Sequence, residues 1–529
     1  MSTRALPWLL PSLLLAGCTG GGEGASLEFD RSGECFVVVE ASLPHDCGWV
    51  TVPGLHGRSG TGTVELGVVR LRSPARGDAS APLLFLQGGP GDTFESMLAA
   101  VTGILLRERE ARNTGEPAGP LSRILARRDL VFMEQRGALH SRPALSCPGA
   151  SAAPWEAARR GLDRSSMEAL YRTALEACVD RLESSGIDLA AFSPEQSVQD
   201  VDAVRRALGH RRVVLWGASW GADLARLVMD RYPETVEAAV LDAAGGPGRP
   251  RWMARRARAF QDVMDAVNAL CQDDPECQSA FGDLGVLADA ALAYLEEEPR
   301  IHPFTNGDDA FDLELTPERF AGVADFTLRS ALLSSYPEFL RRIASGDLAF
   351  AGGFAGASAR PGASSTLEIA HRAMVCSHDT PPLEPSPSPP FPPGPDSSHP
   401  GEGLSSLARA YVRAHAWSYA IACDVLDLEP SADPTAETTP AQAPVLLLAG
   451  RLDTRVGIQE AQDMATAFPG GRLVVFPFGR HVQFPWRPCA SRLVADFLAD
   501  PASLQTLDSR CAYEEGEVRF VLPQDLEGP

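Results

Sequence analysis

The sequence predicts an α/β fold: a mostly parallel central sheet interrupted by an inserted, mainly helical cap. Three observations predict it. Short, continuous apolar runs recur along the chain, segments of helical period separate them, and this alternation lapses over a long stretch in the middle. A continuous apolar run suits a strand buried on both faces, as in a parallel sheet. Strand and helix in alternation build a doubly wound sheet.

In order, Phe36-Val37-Val38-Val39 and Val64-Glu65-Leu66-Gly67-Val68-Val69 lie among Gly and Pro turns and read as leading strands. The buried runs follow at Leu83–Leu86, Leu130–Met133, Val213–Trp216, Ala238–Leu241, Val445–Leu448 and Leu473–Phe476. Val198, Val201, Val204 and Leu208 repeat at helical spacing behind Ser197, a candidate N-cap, and lead into the strand before Gly217. Between Leu241 and Val445 the pattern becomes helical, for example at Ala254–Leu270 and Leu287–Leu295, without clear strands. The predicted organisation is therefore a first part of the core at 27–245, a cap at 246–414 and a C-terminal part of the core at 415–529. Inside the cap, Pro381 to Pro400 is dense in proline and serine and reads as a loop.

The 529 residues are 44% apolar and 22% charged, the balance of a globular chain. The net charge of −22, with no basic run, argues against a nucleic-acid partner. All 47 positive residues are arginine. Without lysine, P-loop, Schiff-base and Ser-Lys chemistry are excluded.

Residues 1–17 read as a signal peptide, with one early arginine and an apolar stretch from Ala5 to Gly17 too short to span a bilayer. Leu15-Ala16-Gly17-Cys18 resembles the bacterial lipobox, which makes Cys18 the expected lipidated residue and 18–26 a flexible tether. The expected setting is the bacterial cell envelope, lipid-anchored or secreted. The ten remaining cysteines, in an exported chain, suggest disulfides. Pairing neighbours gives Cys35–Cys47, Cys147–Cys178, Cys271–Cys277, Cys376–Cys423 and Cys489–Cys511, a connectivity that sequence alone leaves open. No pair has C-x-x-C spacing and the histidines are scattered, so no metal site is expected.

Gly217-Ala218-Ser219-Trp220-Gly221 stands between a predicted strand and a helical run. This is the setting of a nucleophile elbow, in which a strained turn lifts the serine clear of the sheet. A serine hydroxyl needs a base, usually a histidine oriented by a carboxylate, and on this kind of sheet the chain order is Ser, acid, His. His302, His371, His378, His399, His415 and His481 follow Ser219, and of these only His481 sits just past a late strand. Asp453, after the strand Val445–Leu448 and the turn Ala449–Leu452, is the candidate acid. Asp242 at the end of an earlier strand is its rival, and Asp463 reads as a solvated helix residue. Gln87-Gly88-Gly89-Pro90-Gly91, directly after a strand, is the candidate oxyanion loop; Gly89 and Trp220 are the expected N–H donors. No cofactor is expected.

On these residues the chain resembles the prolyl aminopeptidase and tripeptidyl aminopeptidase family of secreted α/β-hydrolases. Gln87–Gly91 is similar to its His-Gly-Gly-Pro-Gly loop, with Gln for His. Glu134-Gln135-Arg136-Gly137 is similar to its Asp-Gln-Arg-Gly motif, with Glu for Asp, and reads as structural or bordering the site. Gly450–Asp453 and Gly479–His481 resemble the acid and histidine turns of the tripeptidyl-peptidase-like C-terminal part. The resemblance implies release of residues or short peptides from free N-termini, with cap carboxylates binding the substrate's amine; no position in the inserted stretch maps to those acids. The competing readings are a carboxylesterase or lipase with the same triad, and a catalytically silent surface lipoprotein.

Overall fold

The computed structural model describes residues 28–31, 35–75, 80–246, 252–306, 309–358, 367–378, 403–429 and 442–526. The signal segment, Cys18, the tether and the Pro381–Pro400 stretch lie outside them.

The strands are β1 (Phe29–Arg31), β2 (His45–Pro53), β3 (Thr63–Leu71), β4 (Leu83–Leu86), β5 (Leu130–Met133), β6 (Ser141–Arg142), β7 (Val213–Ala218), β8 (Val236–Asp242), β9 (Ile301–Asn306), β10 (Asp309–Glu314), β11 (Val445–Gly450) and β12 (Arg472–Phe476). The main sheet runs β1-β2-β3-β5-β4-β7-β8-β11-β12, with β6 beside β3. Pairing is antiparallel from β1 to β5 and parallel from β5 to β12.

The apolar runs are strands for the reason their composition gives: both faces are covered. Leu84, Val131, Leu215, Leu241 and Leu447 point into one core cluster. Their neighbours Leu83, Phe85, Phe132, Val214, Trp216, Val240 and Leu448 point into a second on the opposite face. A third cluster belongs to the cap. It is built from the helices Trp252–Asp273, Leu284–Glu297, Pro317–Arg329 and Tyr336–Ala344 and the first half of Ser406–Leu426.

Three expectations are corrected. Phe36–Val39 is not a strand. Tied at Cys35 to Cys47, the segment lays Phe36 against Trp49, ring centroids 4.7 Å apart, and leaves Val38 99% exposed. Ser197 is not the N-cap of its helix. That helix is Pro194–Ala207 with Ser193 before it; Pro194 at its first position is the start signal, and the Ser197 hydroxyl bonds back to the Ser193 carbonyl at 3.1 Å. The cap also holds a hairpin, β9–β10.

The helix Ser406–Leu426 crosses position 414/415 unbroken. Its Leu407, Tyr411 and Val412 pack in the cap cluster, and its Ala422 and Leu426 pack under the sheet. The helix Glu368–His378 also packs there, through Ile369, Ala370 and Ala373. All five neighbour-paired disulfides are formed. Cys35, His45 and Cys47 are the one grouping with metal-ligand spacing among the described residues, and its two sulfurs are bonded to each other.

Candidate active site

Ser219 stands between β7 and the helix Trp220–Arg231 with φ 55° and ψ −123°, a strained conformation for a residue with a side chain. The turn is possible because its flanks lack Cβ atoms. One added at Gly217 would lie 2.2 Å from the Gly221 carbonyl oxygen, and one at Gly221 would lie 2.0 Å from that of Leu86. The Ser219 N–H donates to the Asp242 carbonyl at 2.8 Å, fastening the turn to β8.

The loop after β4 folds over this serine. A Cβ at Gly88 would lie 3.2 Å from that of Ser219 and 3.8 Å from its Oγ; Gly89, next in line, has φ +104°. Gln135 explains the loop's shape and one motif. Its amide donates to the carbonyls of Gln87 at 3.1 Å and Gly88 at 2.8 Å, and its Oε1 accepts the Gly91 N–H at 3.3 Å. The neighbouring Arg136 is wholly buried. It forms two 2.6 Å bonds with Asp200 and donates to the carbonyls of Gly54 and Ala191. Glu134, also buried, accepts the Thr93 hydroxyl at 2.7 Å and the His140 N–H at 3.2 Å. Burial pushes its carboxyl up to about 7, against the pull of those bonds.

The acid and histidine turns meet backbone to backbone. A Cβ at Gly450 would lie 2.4 Å from the Gly479 oxygen, and one at Gly479 would lie 2.9 Å from the Gly450 Cα. The Leu452 N–H donates to the Gly479 carbonyl at 2.8 Å. Asp453, its side chain 1% exposed, places Oδ2 2.7 Å from His481 Nδ1, and its Oδ1 accepts the N–H groups of Arg455 at 2.8 Å and Val456 at 3.2 Å. This leaves the other ring nitrogen, Nε2, for a partner away from Asp453. Asp463, on the helix Ile458–Thr466, is exposed and accepts from Gln459 at 2.9 Å.

Asp242 holds a position that sequence alone does not reveal. Fully buried at the end of β8, its carboxylate accepts the Gln483 N–H on both oxygens at 2.9 Å and the Phe484 N–H at 2.7 Å. It thus anchors the chain just past His481, where Val482 takes a φ of 63°. Burial pushes its carboxyl up to about 7, opposed by the Phe484 and Gln483 N–H groups and helped by the charge of Asp453.

The cap meets the site at two places. Asp325 accepts the Thr454 hydroxyl at 2.8 Å and pairs with Arg455 at 3.0 Å, next to Asp453. His371 bonds the Pro90 carbonyl through Nδ1 at 2.9 Å and the Tyr419 hydroxyl through Nε2 at 2.9 Å, next to the Gly-rich loop. Burial, with Arg372 beside it, pushes His371 down to about 3, so it stays neutral at physiological pH.

The strained serine, its flanking glycines and a histidine held by a buried carboxylate, on a sheet of this order, define an α/β hydrolase. Residues 81–280 match the sequence signature of the α/β hydrolase fold, and residues 409–511 that of the TAP-like proteins. The chain is therefore a TAP-like α/β hydrolase. It is 28% identical to serine protease Hip1 of Mycobacterium tuberculosis over 44% of this chain and 42% of that one. It is 28% identical to the tripeptidyl aminopeptidase of Streptomyces lividans over 42% and 39%, and 32% identical to carboxylesterase B of M. tuberculosis over 44% and 42%. The matches thus span less than half the length of these relatives. Among solved structures, the proline iminopeptidase of Mycobacterium smegmatis aligns over 88% of this chain and 98% of its own with 14% identity and a TM-score of 0.37, too distant to speak to activity. Among the described residues no helix is long and apolar enough to cross a membrane.

Proposed function

We propose that this chain is an exported serine peptidase that releases single residues or short peptides from free N-termini through an acyl-enzyme. The observation that carries the reading is the 2.7 Å contact between Asp453 and His481 on the same sheet edge as the strained Ser219. In this reading Asp453 fixes the Nδ1–H tautomer of His481, and Nε2 takes the Ser219 proton as Oγ attacks the scissile carbonyl. The N–H groups of Gly89 and Trp220 receive the oxyanion. His481 then protonates the leaving amine, and water, activated by the same base, releases the acyl group.

The five disulfides support an oxidising compartment. Anchoring through an acylated Cys18 completes this reading. A second reading, a carboxylesterase with the same triad, is favoured by the similarity to carboxylesterase B.

One experiment separates the two. A soluble form starting after Cys18 is assayed on aminoacyl and tripeptidyl anilides, with free and blocked N-termini, and on short-chain nitrophenyl esters, with Ser219→Ala as control. Turnover of free-amine anilides, lost in the control, is the expected result. Turnover of esters alone replaces the peptidase with the esterase, and activity surviving in Ser219→Ala removes the serine mechanism.

A further inference from the structure

The sequence contains no lysine, so guanidinium groups are the side-chain cations permanently available to a substrate. Several gather where the cap meets the site. Arg256, Arg372 and Arg455 lie around the half-buried His415, with Asp325 as the carboxylate among them; desolvation, and then the arginine charges, drive His415 down to about 3. Asp325 is shared further: Arg455 lies 3.0 Å and Arg329 3.4 Å from it, with Arg256 beyond. The other nearby acid, Glu368, is taken by Arg372 at 2.9 Å and by the Tyr171 hydroxyl at 2.8 Å. The two cap carboxylates beside the Gly-rich loop and the acid turn are therefore committed to arginines, and positive charge is in excess.

Arg256 is the uncompensated member. It is half-buried on the helix Trp252–Asp273, and its Nε is shielded from solvent with no hydrogen-bond partner. Among the described residues no carboxylate pairs with it; its guanidinium carbon lies 5.7 Å from the Trp252 ring. That ring in turn lies 5.3 Å from His371, the residue bonded to the Pro90 carbonyl. Arg372 has a second shielded nitrogen, Nη1, without a partner. Shielded guanidinium nitrogens without acceptors cost free energy unless something supplies the acceptors. A carboxylate is the group whose shape and charge fit a guanidinium fork.

We propose that Arg256, supported by Arg372, binds a substrate carboxylate beneath the cap, so that the enzyme prefers substrates carrying an acidic side chain close to the cleaved bond. This inference rests on the serine-hydrolase reading and adds the substrate class to it.

The test compares matched pairs. Peptidyl anilides with Glu or Gln at each of the two positions before the cleaved bond are assayed beside the nitrophenyl half-ester of adipate and nitrophenyl hexanoate. The charged member is expected to be favoured in kcat/KM by about tenfold or more in at least one position, the scale of a charge-assisted hydrogen bond. The preference should shrink as salt rises. Arg256→Gln should cut it to less than about twofold, and Arg256→Glu should turn it toward cationic substrates; thermal melts check folding, with Arg256→Lys as a milder variant expected to keep part of the preference. A wild-type enzyme indifferent to the charge, or a preference that survives in Arg256→Gln, overturns the proposal. Binding of the Glu and Gln peptides to Ser219→Ala, followed by calorimetry, decides it even if nothing is turned over: tighter, salt-sensitive binding of the Glu peptide supports the carboxylate site, and equal binding refutes it. Absence of turnover on its own counts only against the hydrolase reading.

Discussion

Replacing Asp242 tests how the histidine turn is held. Among the described residues its carboxylate makes no ion pair, and it accepts hydrogen bonds from the two backbone N–H groups that follow Val482. In Asp242→Asn the oxygen that remains in the Oδ2 place can keep the 2.7 Å bond from Phe484 and one 2.9 Å branch of the bond from Gln483, while the amide nitrogen in the Oδ1 place confronts the Gln483 N–H, donor against donor, and weakens that bond. A wholly unsatisfied buried N–H costs about 1–3 kcal/mol, which is the upper limit for this weakened bond. Against this, the substitution removes a buried charge that the protein tolerates poorly, as its carboxyl at about 7 indicates. The net loss of stability should stay within about 2 kcal/mol. Asp242→Ala strands both N–H groups and should cost roughly 2–6 kcal/mol. Activity should suffer more than stability in the Asn variant, because a shift of even about 1 Å in a catalytic group can cost on the order of a hundredfold. Denaturant melts give the stability; kcat, KM and the labelling rate of Ser219 by a fluorophosphonate give the positioning. A fall in kcat and labelling rate with KM held is the expected pattern. A variant that labels and turns over within twofold of wild type would show that Asp242 does not set the place of His481.

Two further outcomes follow from buried charge. Glu134 titrates near 7 in the folded protein and near its ordinary 4.5 when unfolded. The folded state thus holds the extra proton between those values, and stability falls as pH rises through that window, by up to about 3 kcal/mol; Glu134→Gln should flatten that part of a melting-temperature profile from pH 4 to 8, and an unchanged slope would refute the assignment. Arg136→Met leaves Asp200, 1% exposed, without its bidentate partner and should destabilise by about 3–5 kcal/mol in denaturant melts; a loss under about 1 kcal/mol would mean that His56, 2.8 Å from Asp200, suffices.

What the sequence made legible is whatever depends on local pattern. The runs Leu83–Leu86 and Leu130–Met133 are strands to the residue, because a strand buried on both faces needs apolar side chains at every position. Gly217, Gly221, Gly450 and Gly479 mark places where backbones touch, which is why the turns around Ser219, Asp453 and His481 could be found by their glycines. Phe36–Val39 misled because β-branched composition says nothing of a disulfide turning the chain aside. The roles of Asp242, Gln135 and Asp325 were hidden for another reason: each acts on residues far away in the chain, as Asp242 does on Gln483, and no local spacing encodes that distance. The cap was hardest, since its arginines gain meaning only when helices separated by more than a hundred residues are brought together.

With Cys18 set aside, the five disulfides join the other ten cysteines in consecutive pairs along the chain, across separations of 12, 31, 6, 47 and 22 residues. For a polypeptide emerging N-terminus first into an oxidising space, every odd thiol meets its native mate before any later one arrives. The order of emergence therefore selects one connectivity from the hundreds open to ten thiols. Oxidation in step with emergence needs no reshuffling, whereas oxidation of the full-length reduced chain from denaturant has to search among them.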